Sequence, residues 1–385
     1  MSRFAYFLVP ISCLALFSLL PGCPGEGDDD DSGADEPLTV VTFNAGLAVG
    51  FVPGAEDRAS KASEAVGGLT ADVVCLQEVW RSDHVDGMLT ATGTAFPHAF
   101  MAEPSQEILD EPACGADDLE PLITCVSDNC DLGCLDDMID CMFASCAFNF
   151  LTLEKPCMEC VQANVGRDPD DIEQTCTAEH TKYAYDGAFG TGILSAYPLT
   201  STDEHVFAST TNRRSLLHAV VDAPMGPVDV YCTHLTAVFD LIPYPKEEGS
   251  WEEEQTAQIA DMLAFIDSSA TTGRTVLAGD MNAGPDVGDS VADQLANWNA
   301  IAASGMAVPY VDAEGPCTFC SDNPLQGTDT DTDDRVLDHV LVDGFGPATA
   351  AERVLDQEIT TERCGEQVPG AYSDHYGVLV TVPAN

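Results

Sequence analysis

At 385 residues the chain can bury a substantial core, and its 14 Lys+Arg against 65 Asp+Glu give a formal charge of −51. So large a negative excess opposes approach to a phosphate backbone, because nucleic-acid affinity depends on cations that displace counterions; polymeric DNA is disfavoured as a partner. The same acidity reads equally as a solubility or salt-adaptation trait.

The chain opens with Met1-Ser2-Arg3, an apolar stretch from Phe4 to Leu20, and Pro21-Gly22-Cys23. That layout predicts an export signal over residues 1–22 rather than a membrane span. Leu20, Gly22 and Cys23 suit a bacterial lipoprotein processing site, which would leave Cys23 acylated as a membrane anchor. Pro21 stands where Ala or Ser is more usual, so ordinary secretion stays open. Residues 23–37, with Glu26 and Asp28 to Asp31, are too polar to fold and read as an acidic tether. The expectation is an exported protein, either a cell-envelope lipoprotein or extracellular.

From Leu38 onward strand-like and helical runs alternate, the pattern of an α/β protein. Strands are predicted over Leu38–Asn44, Asp72–Gln77 and Phe96–Met101, with helices over Ala55–Leu69 and Ser82–Thr92 between them. Between about Ala102 and Lys182 cysteines, acids and Met at helical spacing replace the strand pattern, as in Leu135 to Phe148; this predicts a disulfide-rich helical insert. The α/β pattern resumes with strands over Gly190–Ser195, Ser215–Val221 and Val228–Cys232, the last reaching His234. A helix over Glu252–Ile266 and strands over Thr275–Ala278, Val336–Val342 and Val378–Val382 follow. The catalytic domain is thus expected to span 38–385, interrupted by the insert at 102–182.

Sixteen cysteines in an exported chain point to disulfides. Cys13 leaves with the signal and Cys23 is the lipid candidate, so 14 remain, nine of them between Cys114 and Cys176. Cys157/Cys160 and Cys317/Cys320 have zinc-ligand spacing, but neither pair has a His at a matching distance, and disulfides are favoured. An odd number within the insert means that at least one cysteine there pairs outside it, stays free or bonds another chain.

Seven polar residues flank or lie near strands: Asn44, Glu78, His234, Asp280, Asn282, Asp338 and His375. Strands of one sheet bring such ends together even when they are far apart in sequence. Singly each has an ordinary reading as a turn, cap, core or surface residue. Jointly they offer oxygen ligands for a hard divalent cation, donors for a phosphoryl centre and a base for water. His84, His98, His180, His205, His218 and His339 lack such a setting and read as structural.

In order along the chain, Thr42-Phe43-Asn44, Leu76-Gln77-Glu78-Val79, Gly192-Ile193-Leu194-Ser195 with Pro198, Thr233-His234-Leu235, Gly279-Asp280-Met281-Asn282, Leu337-Asp338-His339 and Ser373-Asp374-His375 resemble the motifs of the endonuclease/exonuclease/phosphatase superfamily, the deoxyribonuclease-I-like fold. The resemblance implies a four-layered α/β/β/α sandwich. It implies Glu78 as principal Mg²⁺ ligand (or Mn²⁺), Asn44 as a direct or water-mediated one and Asp374 as a further one. It implies His375 as general base oriented by Asp338, and His234 and Asn282 as donors to the phosphoryl oxygens. Asp280 would position the nucleophile or assist the leaving group. Within the superfamily the chain is most similar to secreted bacterial sphingomyelinases, notably in Thr233-His234-Leu235-Thr236-Ala237 and Tyr372-Ser373-Asp374-His375-Tyr376. It departs from them in its cysteine-rich insert and in showing no counterpart of their aromatic membrane-contacting hairpin. A monomeric phosphodiesterase acting on a lipid headgroup is the leading expectation. An extracellular nuclease or small-molecule phosphatase of the same fold, and a non-catalytic surface binding protein, are the alternatives.

Overall fold

Leu38–Asn44 forms strand β1 between two apolar environments: Leu38 and Val40 face a core between two sheets, and Val41 and Phe43 face a second core under helices. The computed structural model from which this is read describes residues 36–384 except 135, 137, 240–241 and 327–332. The export signal, Cys23, most of the tether and Leu135 lie outside the described residues.

After β1 come α1 (Ala55–Gly67), β2 (Val73–Gln77), α2 (Ser82–Thr92) and β3 (His98–Met101). The next segment holds β4 (Ile108–Leu109), α3 (Ala116–Asn129), α4 (Met138–Leu151), α5 (Lys155–Ala163), α6 (Pro169–Cys176) and β5 (His180–Thr181). Then follow β6 (Gly192–Ser195), β7 (Leu199–Val206), β8 (Ser215–Ala223), β9 (Gly226–His234), α7 (Trp251–Ser269) and β10 (Thr275–Asp280). The chain closes with α8 (Leu295–Ala302), α9 (Pro309–Asp312), β11 (Asp338–Asp343), β12 (Ala350–Val354), β13 (Ile359–Arg363), β14 (Glu366–Gly370) and β15 (Gly377–Val382).

Two sheets stack face to face, one in the order β12-β15-β1-β2-β6-β3 and the other β11-β10-β9-β8-β7. Side chains alternate along each central strand. Val228, Val230 and Cys232 of β9 and Val276 and Ala278 of β10 point into the inter-sheet core, while Tyr231 and Leu277 point outward under α7 and α8. On the opposite outer face Val41, Phe43, Val74 and Leu76 pack on α1 and α2 through Ala62, Val66 and Met88. The layers run α/β/β/α, as the family resemblance implies.

Six strands escape the sequence reading, the two-residue β4 and β5 of the insert among them. β7, Leu-Thr-Ser-Thr-Asp-Glu-His-Val, is an exposed edge strand whose polar faces carry no alternation, and β12 is an edge strand of the other sheet. β13 and β14 form a separate polar hairpin with Cys364 and Gly365 at its turn. This hairpin immediately precedes Tyr372 to His375, and no aromatic residue lies between Ile359 and Gly370.

Helices α3 to α6 gather around their own core of Leu119, Leu122, Met138, Phe150 and Met158. A short ladder between β4 and β5 closes their base. Three bridges staple this segment between its helices, Cys114–Cys157, Cys125–Cys146 and Cys160–Cys176, and Cys130–Cys141 adds a fourth. The ninth cysteine, Cys134, bonds Cys364 on the β13–β14 turn, so the odd cysteine does pair outside the segment. Cys317 and Cys320 pair with each other. Cys75 of β2 and Cys232 of β9 join the two sheets with their Cα atoms 5.4 Å apart, where stacked sheets ordinarily sit about 10 Å apart. The sheets therefore converge at this end.

Candidate active site

That convergence is what assembles the polar cluster. Asn44 ends β1, Glu78 follows β2, His234 ends β9, Asp280 ends β10, Asp338 starts the antiparallel β11, and His375 stands two residues before β15. The ladder register sets His234 and Asp338 on either side of Asp280. Across the gap between sheets, Asn44 Nδ2 donates to Asp280 Oδ2 at 2.9 Å and to Glu78 Oε1 at 3.2 Å, while its Oδ1 accepts from Gly46 N at 3.0 Å. His375 Nδ1 lies 2.8 Å from Asp338 Oδ2, which leaves Nε2 as its working nitrogen. His234 Nε2 lies 3.4 Å from Asp280 Oδ2 and 4.0 Å from Glu78 Oε1. Asp280 Oδ1 accepts from Asn282 N at 2.8 Å, and Asn282 Nδ2 donates to Leu235 O.

Asp338 and Asp280 are buried, and Glu78 keeps 18% of its side chain open to the cleft. Burial, then the Asp374 charge, pushes the Glu78 carboxyl up; burial and Asp338 push Asp280 to about 7. Burial also draws His375 down, but Asp338, Asp280 and Asp374 outweigh it and hold the imidazole well above its ordinary value. His234 goes the other way: burial, with the Arg214 and His375 charges, keeps it neutral. Asp338 Oδ1 is buried without a partner. The cluster holds more negative charge than its cations neutralise, and its donors are mostly hard oxygens, so the residues fit a divalent cation. Asp280, Asp338 and His375 bring ligand atoms within 4.8 Å of one another.

The backbone is bent to reach this arrangement. Glu78 (φ 57°) and Asn282 (φ 45°) both adopt the left-handed region that costs a non-glycine residue about 1 kcal/mol or more, a cost met by the surrounding structure and concentrated at functional sites. Gly46 (φ 55°) is glycine for a second reason as well, since a Cβ there would strike Asp374 Oδ1 and Ser373 Oγ. The Asn44 turn and the Ser373-Asp374 turn can meet because that methyl is missing.

All the residues singled out from sequence converge here: Glu78, His234, Asp280, Asn282, Asp374 and His375 line one cavity of about 470 Å³, with Asn44 and Asp338 directly behind. The amide nitrogen of Asn44, rather than its oxygen, faces the carboxylates. Sequence reasoning missed five contributors. Arg214, just before β8, lines the cavity, as do Trp80 and Tyr185, whose rings stack at 5.1 Å. Thr318 and Phe319 sit on the loop that Cys317–Cys320 closes. Thr318 Oγ accepts from the backbone N of Leu337 and Asp338, and the Phe319 ring packs 5.0 Å from that of His375. An aromatic two residues after Glu78 was the available signal for Trp80; Arg214 had none beyond the rarity of arginine. The histidines read as structural have other partners: His218 pairs with Asp229, His205 with Asp261, and His339 with Ala283 O.

A pocket of buried carboxylates, imidazoles and amides at converging strand ends defines a hydrolase of phosphoester bonds. The sequence model of the Endonuclease/Exonuclease/phosphatase family matches residues 41–375, and the chain belongs to that family. Among solved structures it is similar to sphingomyelinase C from Streptomyces griseocarneus, with a TM-score of 0.55 and 17% identity over 90% of this chain and 99% of that one. It is also similar to a beta toxin from Staphylococcus aureus with bound magnesium ions, with a TM-score of 0.54 and 13% identity over 90% and 99%. At these identities the likeness is one of fold. No curated protein matches the chain in sequence.

Proposed function

We propose that the protein is an exported, Mg²⁺-dependent phosphodiesterase that cleaves a lipid phosphodiester in the manner of a sphingomyelinase C. The observation carrying this reading is the single cluster that Asn44, Glu78, His234, Asp280, Asp338 and His375 form across the two sheets through hydrogen bonds and close charge contacts. Glu78 and Asp374, with Asn44 once its amide is turned to present Oδ1 directly or through water, would hold the divalent cation, Mg²⁺ or Mn²⁺, which would polarise the phosphoryl group and offset the negative charge gathered there. With the cation offsetting the carboxylate charge that otherwise keeps its imidazole protonated, His375, fixed through Nδ1 by Asp338, would take a proton from water at Nε2 as the water oxygen attacks phosphorus. The bond from phosphorus to the leaving oxygen breaks, and Asp280, with its carboxyl near 7, positions the nucleophile or returns a proton to the leaving alcohol. His234, kept neutral, and Asn282 donate to the non-bridging oxygens.

Support for a lipid headgroup comes from the walls. Phe51, Trp80, Tyr185, Phe239 and Trp251 line the cavity together with Ile139 and Val165 of the stapled segment, a mainly apolar setting of a size suited to a small ligand. A nuclease or phosphatase of the same fold would want a basic groove, and the chain has 14 Lys+Arg in all. A purely binding role leaves the strained Glu78 and Asn282 unexplained.

Release of p-nitrophenol from bis-p-nitrophenyl phosphate should stop on chelation and return with Mg²⁺, and sphingomyelin should be cleaved in preference to DNA. Activity that survives chelation would remove the metal from the reading. Preference for DNA would replace the lipid substrate by nucleic acid. The export signal at 1–22, lipidation of Cys23 and the tether at 23–37 belong to the same proposal, motivated by the apolar run ending in Gly22-Cys23. The full chain should partition with membranes and Cys23→Ala should release it; equal partitioning of the two would rule out the anchor.

A further inference from the structure

Arg214 stands just before β8 with 5% of its surface exposed, in the wall of the catalytic cavity. It is held from one side by Trp80, its guanidinium carbon 5.6 Å from the indole centroid, a cation–π contact that fixes the direction of the side chain. Its Nη1 is buried and meets no acceptor. The charges it feels are Glu78, Asp280 and Glu254. A guanidinium remains protonated in such a setting, so a full positive charge with an unused donor sits beside the carboxylates that would surround a reacting phosphorus.

A buried donor without a partner costs about 1–3 kcal/mol and calls for an explanation. Arg58, the other deeply buried arginine, spends its donors on backbone carbonyls. Among the described residues the cavity wall includes two further arginines. Arg335 is paired with Asp293, and Arg363 ends β13. Arg214 therefore differs from both kinds: it is neither a structural clasp nor a rim charge. In a chain with a formal charge of −51, an anionic substrate needs one well-placed cation of the protein's own, and a planar fork suits phosphoryl oxygens better than an ammonium does.

We infer that Arg214 is a further catalytic residue, whose Nη1 binds a non-bridging oxygen of the substrate phosphodiester and stabilises the charge that develops there. The inference rests on the phosphodiesterase reading above. Arg214 then completes a set of three donors to the phosphoryl group, with His234 and Asn282 neutral and Arg214 charged. Trp80 becomes the residue that aims it.

The test compares Arg214→Met, Arg214→Lys and wild type on bis-p-nitrophenyl phosphate with Mg²⁺, using inorganic phosphate as the competing anion. Arg214→Met is expected to lower kcat/KM by about 100-fold and to weaken inhibition by phosphate about tenfold, with Arg214→Lys recovering part of both. Unchanged kcat/KM and unchanged phosphate inhibition in Arg214→Met would overturn the assignment. So would lost activity with phosphate inhibition intact, which is the signature of a residue that merely props Trp80. If Arg214→Met fails to fold, Arg214→Lys decides: wild-type phosphate inhibition in that variant rejects the contact, and a severalfold weakening upholds it. His375→Ala separates the two levels. An active His375→Ala refutes the site as a whole, whereas an inactive one beside a wild-type-like Arg214→Met refutes Arg214 alone.

Discussion

His375→Ala is expected to lower kcat by about 10³- to 10⁴-fold, the upper range for loss of a positioned acid–base group, without changing the far-ultraviolet circular dichroism. The residue is 6% exposed and its Nδ1 is committed to Asp338 at 2.8 Å, so its remaining nitrogen is the one it can offer to chemistry. Asp338 is itself braced: its backbone N donates to Thr318 Oγ, and its carboxylate lies fully buried. Asp338→Asn should therefore also lose activity, though less than His375→Ala, because the amide still fills the space while the charge that favours the imidazolium is gone. The carboxylates raise the His375 pKa, so in the metal-free protein its proton stabilises the fold at acid pH and that contribution is lost as pH climbs through the raised value. Steady-state kinetics on bis-p-nitrophenyl phosphate read the first effect. A loss below tenfold in His375→Ala would remove His375 from the base role.

Arg58→Met should destabilise the protein by about 4 kcal/mol, taking roughly 1 kcal/mol for each buried carbonyl left without its donor. Arg58 is completely buried on α1, and its guanidinium donates to Pro53 O at 3.0 Å, Ala45 O at 3.2 Å, Tyr372 O at 2.8 Å and also Gly46 O. Burial lowers its pKa to about 10, with Asp374 and Glu78 opposing, so it stays charged at neutral pH. Two of its acceptors lie in the turn after Asn44 and one lies two residues before Asp374. Losing it would free both turns at once, and activity should fall together with stability. Urea unfolding with an unchanged slope measures the stability loss. A change under about 1 kcal/mol would mean that water replaces the guanidinium without cost.

Arg58 also marks the limit of what the sequence discloses. In Ala-Glu-Asp-Arg-Ala-Ser-Lys it looks like one more surface charge on an amphipathic helix, and nothing local says that it turns inward. The site residues were legible for the opposite reason: each sits where an apolar run stops, and a strand's end is a local signal even when its neighbour is 236 residues away, as Asn44 is from Asp280. Strand pairing then does the gathering. β7 and the β13–β14 hairpin were illegible because exposed strands need no apolar face, and their acids and threonines read as loop. Arg214 and the wall contributed by α4 and α5 depend on how distant segments lean together, which no window of sequence contains.

The convergence of the two sheets at Cys75–Cys232 bears on what catalytic competence measures. Asn44 and Glu78 ride on one sheet, and His234, Asp280 and Asp338 ride on the other. Each sheet keeps its ladder under a sideways slip of about 1 Å against its neighbour, yet such a slip would pull the Asn44–Asp280 contact apart, and displacements of that size can cost about 10²-fold in rate. The enzyme's turnover is therefore a vernier for interlayer alignment. It should fail at the first shear between the layers, well before either layer melts, and the bridge two residues below Gln77 and His234 is the dowel that holds the scale at zero.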